Sequence, residues 1–234
     1  MTLTMRAKRN SLLTINLVLR YALKKTKSCA LVIAVMCQVT EGRVTNPTEI
    51  LEFWLNDVGV VGWYNSSEQL DATIQERFSE TWEKASAGEC NDWARNSEGA
   101  LALIIVLDQF PRNMFRGSER AFSTDRKALC ISNKTIELGY DMRVPEPQRQ
   151  FFYMPMMHSE SLSVQERCVR LMATRLPETG AGNLIHARVH REVIRQFGRF
   201  PYRNEALHRT PTVLELAYLN NGGYGETMRK VHAA

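Results

Sequence analysis

The chain has 234 residues, 44% of them hydrophobic, with 13 glycines and 8 prolines, which supplies a sizeable core and excludes a disordered or fibrous protein. Its formal net charge is +5, yet the first forty residues hold Arg6, Lys8, Arg9, Arg20, Lys24, Lys25 and Lys27 and no acid. That leaves 23 of the 30 Lys and Arg against all 25 Asp and Glu, a balance of about −2 that gives no support to a nucleic-acid-tracking surface.

Residues 1–45 read as a basic extension ahead of one helical domain over 46–234. Its uncharged run of eleven, CALVIAVMCQV (Cys29–Val39), is short of the ~20 residues that span a bilayer, so no stable membrane insertion is expected. A targeting segment, an extension from an upstream start and an integral helix all fit the pattern. The expectation is a cytoplasmic protein, with organellar import or secretion left open by this segment. The five cysteines, Cys29, Cys37, Cys90, Cys130 and Cys168, are odd in number and lack a C-x-x-C, which excludes a disulfide framework or zinc knuckle. Cys130 and Cys168 fall in amphipathic patterns and read as small buried hydrophobes.

From residue 46 the punctuation is helical. Asn46-Pro47-Thr48-Glu49 offers a cap, a first-turn proline and an early acid before ILEFWL. Ser66-x-x-Gln69 has the form of a capping box, with Leu70, Ile74, Phe78 and Trp82 following at four-residue spacing to a stop at Gly88. Ser97 opens EGALALIIVLDQF, apolar enough for a helix buried on most sides. Thr124-Asp125 caps a helix running to Gly139, and Pro145-Glu146 starts another through Phe151, Phe152, Met154 and Met156. Ser163-x-x-Glu166 again has the form of a capping box, for a helix over 163–175. Ile185, Val189, Val193 and Phe197 mark a helix over 181–197, and Pro211 and Glu215 frame a short one at 212–219 before NNGGYG. No stretch alternates as a strand would. The fold class is all-α, a compact array of antiparallel helix pairs joined by short links; a search for a 34-residue self-match fails.

The chain says one odd thing twice: LDQFPRN (107–113) and GRFPYRN (198–204). A residue before proline is pushed out of the α region, so Phe110 and Phe200 should each end a helix. Arginine then suits the unpaired carbonyls and asparagine the left-handed turn. The same letters also allow Arg112, Arg116, Arg199 and Arg203 to converge as forks on a carboxylate or phosphate. In FFYMPMMHSE, His158, Ser159 and Glu160 are adjacent and diverge on a helix, so a catalytic relay needs a distant partner such as Asp108. His186 and His190 share a helix face at a spacing zinc can use, but a third ligand is conjectural and a half-buried structural pair is the simpler reading. Met154, Met156 and Met157 read as core filling.

These stretches, with ILEFWLND (50–57), LDATIQERF (70–78), AGECNDWARNSEGALALIIVLDQFPRN (87–113) and AFSTDRKAL (121–129), resemble the uncharacterised, largely bacterial family catalogued as domain of unknown function 924. The resemblance covers roughly 46–219 and implies an all-helical, tetratricopeptide-like superhelix with no established activity, substrate or cofactor. Its polar positions fall on Asp108, Gln109, Arg112, Asn113, Arg116, His158, Ser159, Glu160, His190, Arg199, Arg203 and Asn204. Tyr202 stands where the pattern usually has His, and His208-Arg209 where it has Gly-Arg. The expectation is a helical protein that takes a small anionic molecule or an acidic peptide end in a polar cleft, with no cofactor or metal. Two alternatives stand beside it: a hydrolase using His158 with Asp108 or Glu160, and a scaffold without a small-molecule site.

Overall fold

The computed structural model describes residues 45–65 and 67–233; the expectations for the basic segment over 1–44, for Cys29 and Cys37, and for a Ser66 cap lie outside them. Asn46 opens α1 (Pro47–Leu51), its side chain accepting from the Glu49 amide at 3.0 Å with Pro47 in the first turn. The helix widens into a π-helical stretch, Glu52–Val58, and ends in the short α2, Gly59–Gly62. α3 (Glu68–Ala87) is capped by Ser67, one residue beyond the expected cap, through the Leu70 amide at 3.1 Å. Its buried stripe is Ile74, Phe78 and Trp82, and Gly88 stops it with φ +99°.

α4 (Ser97–Ile104) is capped by the Asn96 side chain rather than by Ser97. Gly99 is required there, because a Cβ would stand 2.1 Å from the Trp93 carbonyl oxygen. The near-continuous apolar run is buried as its composition suggests: Ala100 to Leu107 are at most 2% exposed. A π-helical turn, Ile105–Gln109, joins α4 to α5 (Phe110–Met114), and a 3-10 turn (Glu119–Phe122) leads to α6 (Asp125–Glu137). The single helix expected from Pro145 is not formed: a cis Glu146–Pro147 bond is followed by a 3-10 turn (Gln148–Phe152) and α7 (Met154–Met157). Three prolines in eleven residues, Pro145, Pro147 and Pro155, deprive a continuous helix of its donors.

α8 (Leu162–Arg175) begins without a side-chain cap; Ser163 Oγ meets Ser161 Oγ at 3.1 Å instead of forming the expected box. α9 (Ala181–Phe197) has the expected bounds and ends at Gly198, φ +70°. α10 (Val213–Asn220) carries a true capping box between Thr212 and Glu215. Gly222 and Gly223, both at positive φ, then turn the chain into α11 (Gly223–Ala233), a helix that the glycine-rich spelling conceals.

No strand occurs among the described residues, so the protein is all-α. α3 packs on α5, α4 lies against α1 and α6, and α9 packs on α8 and α11. Aromatic rings pin the first half: Phe78 lies 4.8 Å from Phe53 and 4.9 Å from Phe110, and Trp54 meets Phe110 edge-on at 5.6 Å. Each such buried ring contributes about 1.5–3 kcal/mol of transfer free energy. A smaller cluster, Val193, Ile194 and Phe200 with Phe197 and Tyr218, holds the second half. Cys168 is buried as expected, whereas Cys130 is exposed on α6.

Candidate functional site at the paired Phe-Pro turns

The first repeated stretch does not end a helix. Phe110 has φ −59° and ψ −43°, fully helical, and its amide reaches back to the Ile105 carbonyl, five residues away. The wider π turn makes room for Pro111, whose ring would clash with an ordinary i−4 carbonyl. Pro111 has no N–H for Leu107, and the Leu107 carbonyl takes the Thr124 hydroxyl at 2.6 Å instead. Thr124 therefore serves the neighbouring helix rather than capping its own α6. The Asp108 carbonyl likewise accepts from Arg112 Nη1 at 2.7 Å. Arginine does bond a carbonyl, as expected, but inside a helix.

The π turn aims Asp108 inward, where it is wholly buried. It faces His158, at the end of α7, with Nδ1 2.8 Å from one carboxylate oxygen and 3.0 Å from the other. Gln109 donates its amide to the same carboxylate at 2.6 Å, and Arg112 Nη1 stands 3.6 Å away. Burial by itself would raise the Asp108 carboxyl, but the His158 and Arg112 charges and the hydrogen bonds from His158 and Gln109 hold it below the usual carboxylate range. Burial and the Arg112 charge push the His158 imidazole below its ordinary value against the pull of Asp108. The neutral ring thus keeps its proton on Nδ1, donated to Asp108, and presents a lone pair at Nε2.

The second stretch follows the expected rule. α9 stops at Gly198, and Phe200 is extended at ψ 107° before the 3-10 turn Pro201–Arg203. Neither asparagine is left-handed: Asn113 lies within α5, and Asn204 has φ −59°. The left-handed non-glycine residue among those described is His208, φ +51°, where the resemblance led to glycine being expected. Arg209 beside it grips Glu160 through two nitrogens, at 2.7 and 3.0 Å, and Glu160 also accepts the Phe200 amide at 2.8 Å. Glu160 is therefore a brace for the second turn and no partner of His158. Against its own desolvation, those bonds keep its carboxyl below the ordinary value.

The two turns meet through a residue that sequence reasoning read only as a helix start. Asp125 accepts from Arg112 in bidentate fashion, 2.8 and 3.0 Å, and from Arg203 at 3.4 Å. Asp125 and not Asp108 joins the two turns, because Asp108 is engaged by His158 and Gln109. The guanidinium of Arg203 lies 4.7 Å from the Phe122 ring centre and 4.5 Å from that of Phe200. Burial and the Arg112 charge lower its proton affinity.

Four of the expected residues do not converge here. Arg116 and Asn113 both turn to Asp71, Arg116 through bonds of 3.0 Å. Arg199 is locked to the buried Glu215 at 2.6 and 2.8 Å. Asn204 is buried beneath the second turn. A four-arginine fork is thus overturned: Arg116 and Arg199 have carboxylates of their own.

Two cavities border His158. The larger, about 360 Å³, is lined by Arg126 and Arg203 with Asp125, Ser159 and Glu160 among its walls. The smaller, about 200 Å³, has Trp63, Met154 and Met157 as apolar wall, with Gln109 and His190 also lining it. His190 Nδ1 donates to the His186 carbonyl, 2.9 Å, and His186 Nδ1 lies 2.7 Å from the Tyr224 hydroxyl. Burial drives His190 down to about 3, opposed by its bond to that carbonyl. Among the described residues no three His, Cys, Asp or Glu gather as metal ligands. Phe122, Asp125 and Arg126 stood in the family-like stretch 121–129, and Arg209 matched the arginine of the pattern's Gly-Arg, but none of the four was singled out as a site residue.

Residues 50–223 match the family described as bacterial protein of unknown function (DUF924), and the chain belongs to it. It is also similar to a solved structure described as a protein of unknown function, ATU0120, from Agrobacterium tumefaciens, with 35% identity and a TM-score of 0.71. That match covers 75% of this chain and 97% of the other. No curated protein matches the chain. None of the described helices is long and apolar enough to cross a membrane.

Proposed function

We propose that this member of the family binds a small anionic molecule, or the acidic end of a peptide, in the larger cavity beside His158. The observation that carries the reading is Arg203. Its side chain is 8% exposed and its ring neighbours fix its plane, yet its contact with Asp125 is a long 3.4 Å. Asp125 is already engaged by Arg112 on both oxygens. Arg203 therefore holds donors in a fixed plane with less than one full negative charge opposite them, and a carboxylate or phosphate group supplies the rest. Arg126, exposed on the same wall, adds positive potential.

The test is calorimetric titration with inorganic phosphate and with acetate, on the native chain and on Arg203→Gln. Binding that weakens at least about tenfold in the variant, the loss of one charge-assisted bidentate contact, supports the reading. No heat with either anion, or equal affinity in the variant, ends it.

A second reading rests on the 2.8 Å contact between Asp108 and His158. An imidazole oriented by a buried carboxylate through Nδ1 is suited to act as a general base through Nε2. In ester hydrolysis a water proton passes to Nε2 while the water oxygen bonds to the acyl carbon. The acyl–oxygen bond then breaks, and the proton leaves with the alcohol. Turnover of an ester, amide or phosphoester by the native chain and its loss in His158→Gln would favour this reading; a broad hydrolase screen with no turnover would remove it.

A further inference from the structure

The two cavities differ in chemistry and share His158 in their walls. In the larger, Arg203 and Arg126 supply positive charge. In the smaller, the polar groups are already committed. Gln109 donates to Asp108, and Arg112 is spent on Asp125 and the Asp108 carbonyl. Tyr64 and Asn183 both bond Gln150, and His186 and His190 have their Nδ1 partners. What remains to greet a guest is the apolar surface of Trp63, Met154 and Met157. Methionine adapts its shape readily and favours aromatic and alkyl neighbours. A dry apolar cavity of about 150 Å³ accepts a benzene ring, so about 200 Å³ suits a short alkyl chain or one aromatic ring.

We infer that the ligand is an amphipathic anion: its carboxylate or phosphate lies against Arg203 and Arg126, its chain passes His158, and its alkyl or aryl end fills the chamber of Trp63, Met154 and Met157. This rests on the anion-binding reading above and extends it to a substrate class. It also gives His158 a place in recognition, since Nε2 then faces the atoms joining head to tail. A purely polar anion would leave the smaller chamber unused, and a purely apolar guest would leave Arg203 with only its long contact to Asp125.

The experiment titrates the native chain with acetate, butyrate, hexanoate and octanoate, and repeats the series with Arg203→Gln. Affinity should rise about fourfold per added methylene over the first few carbons, the usual worth of burying a CH₂, and then level as the chamber fills. Nuclear Overhauser contacts should link the terminal methyl of hexanoate to the Trp63 indole and the Met157 methyl. Arg203→Gln should weaken every member by the same factor. If acetate binds but affinity does not grow with length, or the terminal methyl touches neither residue, the chamber assignment falls and the anion site stands. If the long chains bind and Arg203→Gln changes nothing, the anion site falls and takes this inference with it. If no member of the series binds, both fall.

Discussion

At Phe110-Pro111 the helix runs on through a π turn, whereas at Phe200-Pro201 it has already stopped two residues earlier at a left-handed glycine. The spelling is the same and the surroundings are not. Ahead of Phe110 lies a run of fully buried aliphatic residues, Leu103 to Leu107, whose burial is worth several times the ~3 kcal/mol that a helix-interior proline costs. The helix therefore persists, and a neighbouring hydroxyl satisfies the carbonyl that proline leaves bare. Ahead of Phe200 stands Gly198, which gives the chain a way out before proline acts. Local preference decides a structure where packing is indifferent, and yields where packing is strong.

The largest effect should come from the residue that joins the two turns. Asp125→Ala leaves Arg112 and Arg203 without their shared carboxylate, and should cost about 3–5 kcal/mol by urea unfolding. A cost below about 1 kcal/mol would mean that the turns are held by packing alone. Next, Thr124→Val removes the hydroxyl from the Leu107 carbonyl and from the Trp82 indole N–H, 3.3 Å away. A loss of about 2–3 kcal/mol is expected. Pro111→Ala should recover part of it by restoring an amide donor within the helix. Were the two losses simply additive, the π turn would not be a response to proline.

Acid should bear on both turns, through His158 at the first and through His190, whose ring meets Phe200 at 5.4 Å. Both folded-state values lie below the ordinary 6.5. The unfolded chain thus takes up protons first, and stability present above about pH 6.5 declines as pH falls. With His190 depressed to about 3, its share of the loss should reach about 2 kcal/mol at pH 5. His190→Gln should flatten that part of the curve; an unchanged slope would place the acid sensitivity elsewhere. The smallest effect belongs to the second turn alone. His208→Gly relieves a left-handed non-glycine residue and should stabilise by up to about 1 kcal/mol, seen as a rise in Tm.

Legibility in the sequence followed the same division. α9 was readable end to end, since one apolar stripe and one terminal glycine state it without competition. The buried character of α4 was equally plain. Between Pro145 and Met157 the apolar letters are helical in spirit but the prolines are not, and short turns result. α11 was hidden because NNGGYG reads as an ending, although two of its glycines only supply the positive φ that starts the next helix. Asp108 stood in the sequence as one of two acids offered to His158, since adjacent residues on a helix cannot form a relay, and the structure places it there rather than Glu160. Asp125 was not legible, because an acid in a first helical turn already has a sufficient local explanation. The scattered ends of Arg116 and Arg199 show the limit of reading function from residue type. A guanidinium is available to a ligand only after every nearby carboxylate has been counted.

Asp125 divides two oxygens between two guanidiniums, and the division need not be constant. An anion that draws Arg203 toward itself relaxes the 3.4 Å contact and leaves Asp125 more fully to Arg112. A better neutralised Arg112 depresses the His158 imidazole less, and the arriving negative charge acts in the same direction. On the anion-binding proposal, occupancy of the cavity and protonation of His158 are thermodynamically linked, and linkage is reciprocal. The proposal then requires that affinity for the anion rise as pH falls through the range in which His158 titrates, so that the histidine would be both gauge and adjuster of the site beside it.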